Sequence, residues 1–127
     1  MEYVVIVVVI SLLEYIGFSI QVGRMRAKYN CPAPAISGDP IFERYYRVQQ
    51  NTMEQLVVFL PAITIYGYYG NPMIAAGVGL VFPIGRLIYM QGYVSDPSKR
   101  GTGFILGFLS TVFLLLAGLV SVVGNLL

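Results

Sequence analysis

The chain has no histidine and no tryptophan, one cysteine, and few charges: Asp, Glu, Lys and Arg make up 11% of its 127 residues. Without histidine, His-dependent catalysis and the usual His-containing zinc and haem sites are excluded. The lone Cys31 excludes an intrachain disulfide and any Cys-based metal cluster. Soluble domains carry about 25% charged residues, so a chain that is 57% hydrophobic is too apolar for water. A net charge of only +2 does not suggest nucleic acid. Any chemistry has to run on Arg, Tyr, Asp, Glu, amides, or a nucleophile brought in by a substrate.

What is present is long apolar runs. A helix needs about 20 mostly apolar residues to cross a bilayer core, and Tyr3–Gly23, Met73–Tyr93 and Thr102–Asn125 qualify. A fourth run, Phe42–Tyr69, starts as FERYYRVQQNTMEQ and ends as LVVFLPAITIYGYY. No Gly or Pro interrupts its first half, which reads as one helix passing from water into lipid. The expectation is an all-α, integral membrane four-helix bundle. It forms a single four-span domain over 1–127, with helices over about 3–26, 42–69, 72–94 and 101–125. The Pro/Gly-rich Cys31–Pro40 segment, the Asn71-Pro72 break and Ser95–Gly101 read as the three connections. The first span has no basic start and no obvious small-residue cleavage site, so it reads as an uncleaved membrane helix rather than a signal peptide.

The charges are asymmetric. Arg24, Arg26, Lys28, Arg44, Arg47, Lys99 and Arg100 lie at or near the first and third loops, with Arg86 on the third helix nearer that end. No Lys or Arg lies at the opposite end. The positive-inside rule puts loops one and three in the cytoplasm and both termini on the other side. That basic end attracts anions.

At about 100° per residue, Glu43, Arg47, Gln50, Asn51 and Glu54 share one face of the second helix, while Gln49 points nearly the opposite way. Arg86, Tyr89 and Tyr93 share a face of the third helix. Two such faces at similar depth enclose a small polar ligand, or they do no more than anchor helices at the headgroups and pair Glu43 with Arg47. Periodicity leaves both readings open. Glu14 lies near the middle of the first span, where a lone carboxylate is costly. It is either protonated or paired across an interface, and a structural role fits better than a catalytic one. Pro61 and Pro83 are expected to kink their helices. Gly77, Gly79 and Gly85 are expected at close helix contacts.

The segments Gln21–Tyr29 (QVGRMRAKY), Phe42–Glu54 (FERYYRVQQNTME), Gly85–Tyr93 (GRLIYMQGY) and Ser98–Phe104 (SKRGTGF) carry a resemblance. They combine E-R-x-x-R-x-x-x-N-x-x-E with a downstream R-x-x-Y-x-x-x-Y. The chain resembles the membrane-associated proteins in eicosanoid and glutathione metabolism. It is most similar to the microsomal glutathione transferase 2 and leukotriene C synthase branch, and the likeness covers nearly its whole length. The resemblance implies a homotrimer of four-helix subunits with glutathione as co-substrate and no permanently bound cofactor or metal. It implies glutathione held between subunits near the cytoplasmic side by the residues matching Arg26, Arg47, Gln49, Asn51, Glu54, Tyr89 and Tyr93. Arg100 matches the family's catalytic arginine. The partners implied are membrane lipids and a hydrophobic electrophile or a lipid hydroperoxide. Two positions depart from the pattern. Arg26-Ala27 stands where leukotriene C synthase has two arginines, which argues against leukotriene specialisation. Gln55 stands where a tyrosine is common. The activity implied is conjugation of glutathione to lipophilic electrophiles, with peroxide reduction as a secondary activity. The alternatives are a non-catalytic lipid-binding scaffold of the same fold and a small transport protein using Glu14.

Overall fold

Two of the helices and the 3₁₀ turn between the last two rods start at a short polar residue followed by proline. Asp39 accepts hydrogen bonds from the backbone N–H groups of Ile41 (2.8 Å) and Phe42 (3.2 Å), with Pro40 in the first turn. Asn71 does the same for Met73 (3.0 Å) and Ile74 (3.1 Å), ahead of Pro72. Such caps satisfy amides that have no partner within the helix, and proline costs nothing where no N–H is needed. Asp96 caps a short 3₁₀ turn, Pro97–Lys99, by accepting from the Ser98 N–H at 3.1 Å.

The computed structural model describes residues 1–127. Its helices are α1 (Glu2–Lys28), α2 (Pro40–Tyr69), α3 (Pro72–Gly79), α4 (Val81–Ser95) and α5 (Gly101–Leu126). Helices α3 and α4 form one rod, Pro72–Ser95, interrupted at Leu80. The chain is thus an all-helical bundle of four rods. The interruption falls just before Pro83, which has no N–H to give to the carbonyl of the preceding turn. Pro61, by contrast, sits inside α2 without ending it. Three rods, Glu2–Lys28, Pro72–Ser95 and Pro97–Leu126, are long and apolar enough to cross a membrane. Helix α2 is also long, at 30 residues, but Glu43, Arg44, Arg47 and Glu54 make its first half polar.

The core gathers Val4 and Val7 of α1, Leu56, Phe59, Ala62 and Ile63 of α2, Ala75 of α3, Phe82 of α4 and Leu114 of α5. Phe59 and Phe82 stack with centroids 4.0 Å apart. Outward, α1 exposes Val5, Ile6, Val9, Leu13, Ile16 and Ile20, the apolar surface expected of a helix facing lipid or another chain rather than water.

Glycine sets how closely α4 and α5 approach. A Cβ on Gly85 would lie 2.9 Å from the Gly107 backbone N, and one on Gly103 would lie 2.6 Å from the Gly85 carbonyl and also collide with the Tyr89 backbone. Gly79 packs against Ile63 and Val7, whereas Gly77 has open space where its Cβ would be. Of the three glycines expected at close contacts, Gly79 and Gly85 are there. Gly77 is not, because its face of α3 is turned away from the bundle.

Candidate functional site

The antiparallel rods bring the end of α1, the start of α2, the end of α4 and the start of α5 together at one end. Arg44 spans two of them, donating from α2 to the Val94 carbonyl of α4 at 3.0 Å. The seven basic residues Arg24, Arg26, Lys28, Arg44, Arg47, Lys99 and Arg100 all belong to this end.

A cavity of about 350 Å³ opens here, lined by Arg47 and Asn51 of α2, Tyr89 and Tyr93 of α4, and Arg100, Gly101 and Phe104 at the start of α5. The rings of Tyr89 and Tyr93 lie 5.6 Å apart, and the Arg100 guanidinium is 5.9 Å from the Tyr93 centroid. Arg100 donates to the Pro97 carbonyl at 2.8 Å, which ties its stem to the 3₁₀ turn. The amide oxygen of Asn51 is buried and has no hydrogen-bond partner. A buried acceptor left unmatched is costly, so this atom is set to receive a donor. A second cavity of about 500 Å³ adjoins the first, sharing Arg47 and Tyr93 and adding Glu43 and Arg44.

The ion pair between Glu43 and Arg47 does not form. Glu43 accepts from the Gly38 N–H at 3.2 Å, and the molecule's one ion pair joins the N-terminal amine to Glu2. Arg47 and Arg100 therefore face the cavity with no carboxylate neutralising them, as anion recognition requires. Outside the membrane-spanning segments, the Asp96 carboxyl is held below its usual range, first by the Ser98 backbone N–H it accepts from.

Of the residues singled out from the sequence, Arg47, Asn51, Tyr89, Tyr93 and Arg100 meet in this one cavity. Arg26, Gln49 and Glu54 lie outside it. The Arg26 guanidinium donates to the Cys31 and Ala35 carbonyls (3.1 and 2.6 Å) and lies 5.0 Å from the Phe42 ring centroid. Gln49 donates to the Ser19 hydroxyl of α1 at 3.0 Å, on the opposite side of α2, as its angular position requires. Glu54 is exposed. Sequence reasoning did not single out Gly101 and Phe104 as lining residues, although both lie in the Ser98–Phe104 segment that carries the resemblance. The sequence put Arg86 on one face with Tyr89 and Tyr93, with ligand enclosure and helix anchoring both open; Arg86 is 1% exposed and turned into the bundle, where it donates to Thr52. One carboxylate oxygen of Glu14 is buried without a hydrogen-bond partner.

Residues 4–120 match the model of the MAPEG family. An uncharacterized protein of Synechocystis sp. is 41% identical over 121 residues, covering 95% of this chain and 88% of that protein. Microsomal glutathione S-transferase 2 of Homo sapiens is 36% identical over 119 residues, covering 94% of this chain and 81% of that protein. Leukotriene C4 synthase of Bos taurus is 35% identical over 94 residues, 74% of this chain and 63% of that protein. A family match across nearly the full length, and relatives this similar over most of theirs, establish that the chain belongs to the MAPEG family.

Proposed function

We propose that this protein is a membrane-bound glutathione transferase that activates glutathione as a thiolate and conjugates it to lipophilic electrophiles. The observation that carries the reading is the meeting of Arg47, Asn51, Tyr89, Tyr93 and Arg100 around one cavity of about 350 Å³. The relatives named microsomal glutathione S-transferase 2 support it.

Glutathione carries two carboxylates, an ammonium, two amides and a thiol. Arg47 is placed to meet a carboxylate, the unpartnered Asn51 oxygen to accept from an amide N–H or the ammonium, and the tyrosines to donate hydroxyls or pack on the peptide. A thiol with a pKa of about 8.5 is mostly protonated at neutral pH, and the thiolate is the nucleophile. A guanidinium beside the sulfur favours the thiolate over the thiol, which is the role Arg100 takes, and the proton leaves to water. The thiolate then forms a C–S bond to the electrophilic carbon as the leaving group departs, or as an opened epoxide oxygen takes up a proton. Holding both reactants at the lipid boundary supplies part of the acceleration. As a secondary activity, two glutathiones reduce a lipid hydroperoxide to the alcohol and water, leaving one glutathione disulfide.

Arg26, Gln49 and Glu54 enter this reading through assembly. In a homotrimer with glutathione between adjacent subunits, the outer surfaces of α1 and α2 are where a neighbour contributes. The concentration of Lys and Arg at the cavity end supports a cytoplasmic site, with both termini on the opposite side. The whole chain, 1–127, acts as one four-span domain.

The test is ultraviolet difference absorbance at the thiolate band while glutathione is titrated into the purified protein in detergent. A saturable signal lost in Arg100→Ala supports the enzyme. Absence of the signal, together with no glutathione binding by calorimetry, replaces it with the lipid-binding scaffold.

A further inference from the structure

Arg86 is one of the most deeply buried residues in the molecule, yet it does not line the cavity. A guanidinium inside an apolar bundle is tolerated only where its donors are matched. Its Nε and one Nη donate together to the Thr52 hydroxyl oxygen, at 3.2 and 2.9 Å. Thr52 is itself fully buried and donates to the Val48 carbonyl at 2.7 Å. A hydroxyl has one proton and two lone pairs, and all three are engaged. The guanidinium is thereby fixed in position and in plane.

That plane meets Tyr89. The Arg86 Cζ lies 4.1 Å from the Tyr89 ring centroid, a cation–π distance between two buried side chains. Tyr89 is 3% exposed and forms part of the cavity wall. Its ring is bounded by Tyr93 at 5.6 Å and Phe104 at 6.4 Å, and its backbone is pressed against Gly103. The chain Val48–Thr52–Arg86 thus runs from α2 to Tyr89, the one member of the four that lines the cavity.

We propose that Arg86, clamped by Thr52, is a positioning residue that holds the Tyr89 ring in place as the rear wall of the glutathione pocket. The proposal rests on the reading of that pocket as the glutathione site. A staple serving only to join α2 to α4 would change stability when cut, and would leave the affinity of the folded protein alone. A positioning residue changes where the Tyr89 ring sits and how tightly glutathione is held.

The experiment uses the full chain in detergent micelles, labelled with 3-fluorotyrosine, with the Tyr89 fluorine resonance assigned by its loss in Tyr89→Phe. Thr52→Val removes the clamping oxygen at nearly constant volume. It is expected to shift or broaden the Tyr89 resonance without ligand present and to raise the glutathione KM about five- to tenfold, with kcat changed less than about twofold. Thr52→Ser, which keeps the hydroxyl, should rescue both. A folded Thr52→Val protein with the wild-type resonance and KM overturns the proposal, as does Thr52→Ser behaving like Thr52→Val. Should Thr52→Val fail to fold, Arg86→Lys keeps the charge but loses the two-donor fork and should displace the same resonance; an unmoved resonance there overturns the proposal. If the wild-type protein itself binds no glutathione, the functional reading fails, and the fluorine resonance alone decides whether Arg86 positions Tyr89.

Discussion

Arg100 and Tyr93 face each other across the cavity, guanidinium to ring centroid 5.9 Å, although the end of α4 and a capped 3₁₀ turn separate them in the chain. The turn places Arg100 beside the tyrosine: Asp96 caps it and the Pro97 carbonyl receives the arginine's donor. The cavity's two unneutralised arginines are therefore held differently. Arg100 hangs from a turn, and Arg47 projects from the middle of a helix turn of α2.

That difference separates their expected mutants. Arg100→Ala should leave glutathione affinity within about threefold and lower turnover at least about a hundredfold, since the lost charge acts on the developing thiolate. Arg47→Ala should instead weaken binding, with turnover at saturation largely kept. Calorimetry paired with steady-state kinetics checks both; equal loss of affinity and turnover in Arg100→Ala would make it a binding residue.

Gly103→Ala should be among the most damaging single methyl additions. Its Cβ would meet the backbone of Tyr89 and of Gly85, neither of which can move without separating α4 from α5. Overpacking of this kind costs about 1–3 kcal/mol, and here it also pulls Phe104 and Arg100 away from Tyr89. Gly124→Ala, with nothing within 4 Å of the added atom, is the matched control. Thermal melting in detergent should show a lower midpoint for the first and little change for the second.

The 3₁₀ turn should loosen in acid. The folded pKa of Asp96 lies below its ordinary 3.8, so the contribution of its ionised cap is fully present above that ordinary value. It is lost as pH falls through the lower folded value. Protection of the Ser98 amide from hydrogen exchange, corrected for the intrinsic rate, should be constant at neutral pH and decline only in that acid window. In Asp96→Ala it should be low throughout.

Removing the α2 cap gives a purely structural contrast. Asp39→Ala frees the amides of Ile41 and Phe42 and should cost about 1 kcal/mol, read as a lower melting midpoint. The thiolate signal of the folded fraction should persist.

Much of this was legible in the sequence because it depends on periodicity. Four apolar runs gave four rods, Asn71-Pro72 and Ser95–Gly101 gave their connections, and the angular offset of Gln49 from Asn51 put the two on different surfaces, that of Gln49 being the one that meets α1. Helix periodicity assigns a residue to a face but does not say what lies opposite. Gly77, Gly79 and Gly85 looked alike, yet only the last two meet a neighbour, and Gly103 and Gly107 matter because Gly85 faces them. Arg86 shares a face with Tyr89, but its long side chain turns inward to a threonine 34 positions away. Arg26 lies beyond such reasoning altogether, because its partners are carbonyls of an aperiodic loop.

The lodging of Arg26 carries a consequence for ligand recognition. Its guanidinium is already a guest of the Cys31–Ala35 carbonyls, so an incoming carboxylate would have to displace them rather than fill a vacancy. Affinity gained through Arg26 is then a difference between two sets of hydrogen bonds, and the released carbonyls report the trade to the loop around them. Cys31, the chain's one thiol and 6% exposed, belongs to that loop and supplies one of those carbonyls.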